Sequence, residues 1–403
     1  MIFLTMIIQI LLLAAFFWAA GGILLGLLAG KKQRKIIAKH HCFAIIVCAH
    51  NEENVLSNLL DSLVHQTYDK NNYHIFLLAD HCTDETAAIG RAYSQVTVWE
   101  RNTGKRSGKG AVLNWGIELL RKTTGTKYDS YVVFDADNKA TPNFLEEINN
   151  CLSTGAKLVM GNRKSSNPYS SLVSSWYTIY WQTVDFLYCR PRSNLGLPAI
   201  ISGTGFAFLA DLLGPEGWKT TSITEDIEFS MEQNLKGVFA IYWEEAVFYD
   251  EQPTDLPTMF SQVRRWCTGN YQIAVKFRQI WWEHFCAKPN LKLIDNFIPI
   301  FLAAMFGFYL ILNFCWLFYN GAQGVNPFGP IDVIWWSFLY LLSVGISYVV
   351  IKHSSFQRDR MLPAILTSGI YCILFSLIAV YSVFKPVREW KPIEHGKESR
   401  SSR

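Results

Sequence analysis

YVVFDAD, residues 131–137, is a short apolar run that ends in two carboxylates, Asp135 and Asp137. An apolar run of this length bounded by polar residues is typical of a buried β-strand. HIFLLAD, residues 74–80, has the same pattern and ends at Asp80. Three further short apolar runs predict strands: FAIIVC (43–48), VTVW (96–99) and KLVMG (157–161). Together these stretches predict the fold.

Helical patterns separate the predicted strands, near residues 53–66, 84–94, 108–122 and 141–152. Alternating strands and helices predict an α/β domain with a mostly parallel sheet and helices on both faces. Ligands bind such sheets beyond the carboxyl ends of the strands. Asp80, Asp135 and Asp137 stand at those ends, and an Asp-x-Asp pair suits Mg²⁺ or Mn²⁺ shared with substrate phosphates. A strand-end aspartate is also a common turn or cap residue, an alternative that applies to Asp84.

The chain of 403 residues is poor in charge, with 17% charged residues against about 25% in an average protein. Four long segments contain no Asp, Glu, Lys or Arg: 3–29, 297–319, 333–351 and 362–384. Each is long enough to cross about 30 Å of hydrocarbon, which predicts an integral membrane protein. The composition excludes a disordered chain, a coiled coil and a small disulfide scaffold, and a net charge of +4 does not indicate nucleic-acid binding.

The basic residues predict how these segments cross the membrane. A basic cluster at 31–35 follows the first segment and none precedes it, which predicts an uncleaved anchor with a cytoplasmic C-terminal end. By the same rule the loop 320–332, without Lys or Arg, lies outside and the basic loop 352–361 lies inside. The basic tail 385–403 breaks this alternation. Either the rule fails there or one apolar run enters and leaves on the same face; we expect a cytoplasmic tail.

Seven short motifs occur in a characteristic order. They are His50-Asn51-Glu52-Glu53, Asp80 with Asp84-Glu85-Thr86, Lys109 with Leu113-Asn114, Asp135-Ala136-Asp137, Ser202-Gly203-Thr204-Gly205, Thr224-Glu225-Asp226 and Gln262-Val263-Arg264-Arg265-Trp266. From about residue 43 to 270 the chain resembles the membrane-integrated family 2 glycosyltransferases, which include cellulose, hyaluronan, chitin-oligosaccharide and poly-N-acetylglucosamine synthases. The resemblance implies a GT-A nucleotide-diphospho-sugar transferase domain embedded between transmembrane α-helices. Val263 departs from the pattern, because many relatives carry a polar residue there.

The resemblance also implies a role for individual residues. The donor nucleotide sugar would contact Asn51, Glu52, Asp80, Lys109, Asp135, Gln262, Arg265 and Trp266. The acceptor would contact Gly203, Thr204, Gly205, Glu225 and Trp266. Asp137 would hold Mg²⁺ or Mn²⁺ against the diphosphate, and Asp226 would be the catalytic base.

The chemistry of sugar transfer requires such groups independently of the resemblance. A departing diphosphate needs a divalent cation and a guanidinium to stabilise its negative charge, and Arg265 offers a planar fork of donors. A carboxylate such as Asp226 can remove the proton of the attacking hydroxyl, typically for about 10²–10⁴-fold in rate. If Glu225 lies close enough, like-charge repulsion would raise the pKa of Asp226. No Ser/His/Asp set is evident, so we expect one displacement with inversion, from an α-linked donor to a β-linked product.

We therefore expect five regions. They are a transmembrane anchor (1–30), a cytoplasmic GT-A domain (31–255), interface helices with the Gln-x-x-Arg-Trp motif (256–295), C-terminal transmembrane helices (296–385) and a basic tail (386–403). Aromatic residues in 172–190 and 256–287 favour amphipathic helices at the membrane surface. The alternative is a core-facing helix in the soluble domain.

The expected activity is transfer from UDP-N-acetylglucosamine or UDP-glucose to a growing polysaccharide, with its translocation left open. One alternative is the transfer of a single sugar to a membrane lipid. Another is a catalytically inactive assembly or transport subunit that kept the fold. The predicted partners are the UDP-sugar, a glycan or lipid acceptor and membrane lipid but no nucleic acid, and partner subunits are left open. The protein is expected in the plasma membrane with its catalytic domain in the cytoplasm.

Overall fold

The computed structural model describes residues 2–31, 39–104, 106–125, 127–287, 289–324 and 329–387. These residues form two compact units, here named the helical unit and the sheet unit. The helical unit comprises residues 2–28, 167–191 and 252–387, and the sheet unit comprises 29–166 and 192–251.

The helices follow one another along the whole chain. They are α1 (Ile2–Ala29), α2 (Leu56–Val64), α3 (Thr86–Arg91), α4 (Lys109–Thr124), α5 (Phe144–Leu152), α6 (Leu172–Thr183), α7 (Arg190–Leu195), α8 (Glu225–Leu235), α9 (Leu256–Lys276), α10 (Arg278–Trp282), α11 (Leu291–Ala322), α12 (Pro330–Lys352), α13 (Arg358–Leu366) and α14 (Ser368–Phe384). Two π-helical segments, Val184–Cys189 and Glu283–Ala287, extend α6 and α10.

The strands form one mixed sheet in the sheet unit. They are β1 (Phe43–Ala49), β2 (Tyr73–Asp80), β3 (Val96–Arg101), β4 (Ser130–Asp135), β5 (Lys139–Ala140), β6 (Leu158–Ser165), β7 (Phe206–Leu209) and β8 (Ile241–Asp250). Their order is β3-β2-β1-β4-β7-β6-β8-β5. The strands β1 to β4 are parallel to one another, as is the pair β6 and β8, whereas β7 runs antiparallel to both β4 and β6. The α/β prediction is confirmed. The sheet is mixed because β7 is antiparallel to both of its neighbours and β5 is antiparallel to β8.

The register of the parallel strands aligns their carboxyl ends. Cys48 near the end of β1 is opposite Asp135, and Asp80 is opposite Arg101. The strands hold this register because their apolar side chains are fully buried, as in Ile45 and Val132. Burying each such side chain stabilises the fold by roughly 1.5–3 kcal/mol. The apolar core therefore brings charged strand ends to one edge of the sheet.

The helical unit contains three helices that are long and apolar enough to cross a membrane: Met6–Ala29, Phe301–Ala322 and Asp332–Lys352. The fourth predicted segment, 362–384, is not one straight helix. It is divided between α13 and α14, which are bent by 51°, as in a broken span or a re-entrant loop. The Thr367 hydroxyl donates to the Pro363 carbonyl (2.6 Å) at the bend, a contact that competes with a continuous helix. Most of the predicted basic tail, residues 388–403, lies outside the described residues.

The aromatic side chains of α6 are buried inside the helical unit. Trp176, Tyr177 and Trp181 belong to a cluster that also contains Val263 of α9 and Tyr371 of α14. Burial of Val263 in this cluster explains why an apolar residue is stable at the position that departs from the expected motif.

Candidate active site

Two loops at the carboxyl edge of the sheet are held to each other by hydrogen bonds. Asn51 has a left-handed backbone (φ +56°), and its side-chain oxygen accepts from the Thr83 amide (2.8 Å). The Glu52 amide donates to the Thr86 hydroxyl (2.8 Å). The Asp84 carboxylate accepts from the Thr86 amide (3.1 Å), so Asp84 is a turn residue, as in the alternative interpretation. The loops after β1 and β2 thus form one platform.

Asp80, predicted to contact the donor, is 4% exposed and surrounded by positive groups. One of its carboxylate oxygens lies 3.0 Å from the Arg101 guanidinium and 2.9 Å from Nδ1 of His81. The other lies 3.9 Å from Arg106. The sequence analysis missed both arginines, although Arg101 ends the run VTVWER directly beside Asp80 in the register. The buried carboxylate therefore lies beside two guanidinium groups, those of Arg101 and Arg106.

Lys109 joins the predicted metal-binding motif to the predicted acceptor loop. Its ammonium group pairs with Asp135 and donates to the Gly203 carbonyl (2.8 Å). Burial alone would lower the pKa of Lys109, but the nearby carboxylates of Asp135 and Glu225 outweigh it and raise that pKa above its usual range. Lys109 therefore carries a permanent positive charge between these two acids.

The surroundings of the Asp137 side chain disfavour its negatively charged form. Burial raises the pKa of Asp137 well above its usual range, and the negative charges of Asp250, Asp135 and Glu251 raise it further. A divalent cation would relieve this repulsion, and oxygen ligands suit Mg²⁺ or Mn²⁺. Among the residues that the structure describes, no group of three His, Cys, Asp or Glu side chains is arranged to hold a metal alone. The residues thus fit a cation that takes its other ligands from a diphosphate and water.

Asp226, the predicted base, lies in the first turn of α8 and is 9% exposed. Gly203 has a left-handed backbone (φ +83°), and a methyl group built on it would lie 3.6 Å from Oδ2 of Asp226. Gly203 is also the residue whose carbonyl binds Lys109. Asp135, Lys109, Gly203 and Asp226 therefore lie in one part of the sheet unit.

Several charged groups of the candidate site also lie close to Cys48, near the end of β1. Burial raises the pKa of the Cys48 thiol to about 12, with Lys109 lowering it and Asp135, Glu225 and Asp80 raising it. All four of these charged groups are therefore close enough to act on one strand-end side chain. The structure brings Asp80, Lys109, Asp135 and Glu225 together in the sheet unit. All four were predicted from the sequence as site residues.

The predicted residues of the Gln-x-x-Arg-Trp motif lie on α9, in the helical unit. The Trp266 ring packs on Tyr177 (5.9 Å between centroids), Tyr180 (6.1 Å, stacked) and Trp181 (5.6 Å). The side-chain oxygen of Gln262 is buried with no hydrogen-bond partner in the described part of the chain.

Arg265 is the next motif residue on α9. Burial raises the pKa of Tyr177, and the positive charge of Arg265 counteracts that shift. The Arg265 guanidinium therefore acts on the same aromatic cluster into which the Trp266 ring packs.

A family model described as "Glycosyltransferase like family 2" matches residues 40–269. The chain belongs to family 2 of the glycosyltransferases. The matched region contains every predicted site residue, from Asn51 to Trp266, and the expected family is thereby confirmed. The fold is that of the GT-A glycosyltransferases. The mannosyltransferase PcManGT from Pyrobaculum calidifontis, solved with GDP-Man and Mn²⁺, superposes with a TM-score of 0.62 at 16% identity, covering 94% of this chain and 99% of that one.

Named relatives of this family 2 enzyme differ in product. The probable glycosyltransferase YdaM of Bacillus subtilis (strain 168) is 24% identical over 86% of this chain and 83% of its own length. The beta-monoglucosyldiacylglycerol synthase of Synechocystis sp. (strain PCC 6803) is 23% identical over 70% of this chain and 63% of its own length. The poly-beta-1,6-N-acetyl-D-glucosamine synthase of Staphylococcus aureus (strain MSSA476) is 25% identical over 57% of this chain and 55% of its own length. The chain thus spans only part of the last two proteins.

Proposed function

We propose that this family 2 glycosyltransferase transfers N-acetylglucosamine or glucose from a UDP-sugar, with inversion, to a growing polysaccharide at the cytoplasmic face of the plasma membrane. The observation that carries the proposal is that Lys109 contacts both Asp135 and Gly203, while the Asp226 carboxylate faces Gly203. This arrangement supports a diphosphate site and a base close to one glycine. These are the two groups that a single displacement at a sugar carbon needs.

The donor would bind along the carboxyl edge of the sheet. Asp80 and the loop of Asn51 and Glu52 would hold the nucleoside, and Lys109 would face the diphosphate. Asp135 would lie against the nucleotide, and Asp137 would hold Mg²⁺ or Mn²⁺. The cation would supply Lewis-acid stabilisation of the departing diphosphate.

The acceptor hydroxyl would approach Asp226 past Gly203. Because a methyl group at Gly203 would stand 3.6 Å from the Asp226 carboxylate, the glycine leaves room for an incoming oxygen there. Asp226 would take the proton as the hydroxyl attacks, and the diphosphate would leave from the opposite face of the sugar. Glu225 and the backbone at Thr204 and Gly205 would line the acceptor side.

The resemblance implies further substrate contacts for the α9 motif. Arg265 would stabilise the negative charge of the leaving diphosphate, since a guanidinium matches phosphate oxygens with two parallel donors. The unpartnered oxygen of Gln262 is suited to accept from a substrate hydroxyl. The Trp266 indole, already stacked on Tyr180, would offer an aromatic face to a sugar ring.

A second candidate is the transfer of one sugar to a membrane lipid. The described residues contain three candidate spans, or four if the bent pair is one span, which is a small membrane part for a polymer channel. The glucolipid synthase of Synechocystis also aligns with more of this chain than the poly-N-acetylglucosamine synthase does, 70% against 57%. The candidates differ in product but share the proposed site.

The full chain in detergent or nanodiscs distinguishes these functions. UDP release is measured with UDP-N-acetylglucosamine or UDP-glucose, GDP release with GDP-mannose, each with Mg²⁺ or Mn²⁺ and with or without diacylglycerol. Asp226→Asn is the inactive control. We expect release from one UDP-sugar and a ladder of products by mass spectrometry. A single diacylglycerol product would favour the second candidate. No release with any donor and acceptor would refute the proposal and favour an inactive assembly subunit.

A further inference from the structure

Beneath the metal-binding motif lies a series of hydrogen bonds between buried side chains. The Thr204 hydroxyl accepts from the backbone amide of Asp135 (2.9 Å) and donates to the side-chain oxygen of Asn138. The amide nitrogen of Asn138 then donates to Oδ1 of Asp250 (2.8 Å). Asn138 directly follows Asp137. These bonds therefore hold the metal-binding turn at Asp135 and at Asn138, its two ends.

The series closes into a ring through Arg163. Its guanidinium lies 3.3 Å from Oδ2 of Asp250 and donates to the backbone carbonyl of Ser202, two residues before Thr204. Thr204, Asn138, Arg163 and Asp250 are 1%, 0%, 5% and 8% exposed. The ring therefore links β4, β6 and β8 to the acceptor loop out of contact with water.

A ring of buried hydrogen bonds fixes the relative positions of its side chains. Each buried polar group is stable only while its partner is in place, because an unpartnered one loses its hydration without compensation. The Arg163 guanidinium also lies 5.7 Å from the centre of the Phe248 ring, which further restricts its position. Movement of one member therefore disturbs the next.

We propose that Asn138, Asp250 and Arg163 are positioning residues that fix the metal-binding turn relative to the catalytic base. The inference rests on the proposed function, because it takes Asp137 as the metal-binding residue. The ring holds the turn on one side and Ser202 on the other. Ser202 is followed by Gly203, which faces Asp226. The ring thus sets the distance between cation and base without touching either substrate.

The test measures the binding of Mn²⁺ and UDP to the full chain in detergent by titration calorimetry. Asp250→Asn keeps the size of the side chain and an acceptor for Asn138 but removes the charge that faces Arg163. Residues that orient metal ligands typically change metal affinity by about 10–100-fold when replaced, and we expect the Kd for Mn²⁺ in the presence of UDP to rise by that factor. A merely structural role would lower the Tm and leave this Kd unchanged in the folded protein.

A reciprocal exchange tests the pair directly. Asn138→Asp alone would place two carboxylates in contact and weaken Mn²⁺ binding. In the double variant with Asp250→Asn, the amide and the carboxylate exchange places, so one donor again meets one acceptor. We expect the double variant to bind Mn²⁺ at least about tenfold more tightly than Asn138→Asp, the non-additivity expected of side chains in direct contact.

Asp211→Asn is the matched control, because it removes an exposed carboxylate paired with Lys157, which precedes β6 at the end of the strand opposite to Arg163. It should leave both Kd and Tm unchanged. If Asp250→Asn does not fold, Arg163→Lys, which keeps the buried positive charge but cannot bridge Asp250 and Ser202, is expected to raise the Kd. Wild-type Kd values in the folded ring variants would overturn the positioning role and leave the proposed function intact. Failure of the wild-type chain to bind Mn²⁺ and UDP would overturn both.

Discussion

Replacing Gly205 with alanine should destabilise the sheet unit far more than the same change at a comparable glycine. Gly205 has a left-handed backbone (φ +64°), and a methyl group there would overlap the ring of Phe248. Phe248 is fully buried against Phe134 (6.0 Å) and Phe144 (6.2 Å), so its ring cannot move aside.

The magnitude follows from two separate costs. The left-handed conformation costs an alanine about 1–2 kcal/mol. Overpacking a closed core adds about 1–3 kcal/mol. A total of about 3 kcal/mol lowers the Tm of a domain of this size by about 6–12 °C, at roughly 2–4 °C for each kcal/mol.

Gly196→Ala is the matched control. Gly196 also has a positive φ (+70°), but no atom lies within 4 Å of the added methyl group. It should show the conformational cost alone, which at about 1–2 kcal/mol is a Tm decrease of about 2–8 °C. Thermal unfolding of the full chain, followed by circular dichroism and tryptophan fluorescence, measures both. Equal shifts for the two variants would refute the packing argument.

Three further outcomes are expected. Asp226→Asn should bind UDP nearly as the wild type does and lose about 10²-fold or more in turnover, as measured by UDP release; unchanged turnover would exclude Asp226 as the base. Asp137→Ala should abolish metal-dependent UDP binding in calorimetry, and persistent metal dependence would count against its assignment. Because burial raises the pKa of Cys48 to about 12, its thiol should stay unmodified by iodoacetamide at pH 8 while exposed Cys286 reacts. Rapid labelling of Cys48, mapped by mass spectrometry, would contradict its raised pKa.

The parallel part of the fold could be predicted because local pattern and tertiary position agree there. FAIIVC and YVVFD are continuous apolar runs, and both are strands buried in the centre of the sheet. The strands β5, β7 and β8 were not predicted, and β5 is only two residues long. FAFL is only four residues long, and IYWEEAVFYD contains two glutamates within its run. The antiparallel placement of β7 between β4 and β6 depends on pairing across the sheet, which no local pattern encodes.

Part of the candidate site could likewise be predicted from the sequence and part could not. Asp80 and Asp135 could be placed from the sequence, because parallel strands bring their carboxyl ends to one edge. The ring could not, since Asn138 and Asp250 lie 112 residues apart and meet only through the register of distant strands. That register includes an irregularity between Met160 and Asn162 on β6. The roles assigned to the individual side chains stay predictions.

The packing around Trp266 has a practical consequence for any attempt to work with a shortened enzyme. Its ring neighbours come from α6, and Tyr180 in turn contacts Tyr371 (6.0 Å) and Phe375 (5.8 Å) of α14. A fragment that ends after α10 would keep the whole motif Gln-x-x-Arg-Trp. It would lose the α14 side chains that pack against Tyr180, the ring on which the indole is stacked. Such a fragment would retain the sequence of the motif without the packing that holds the Trp266 ring in place.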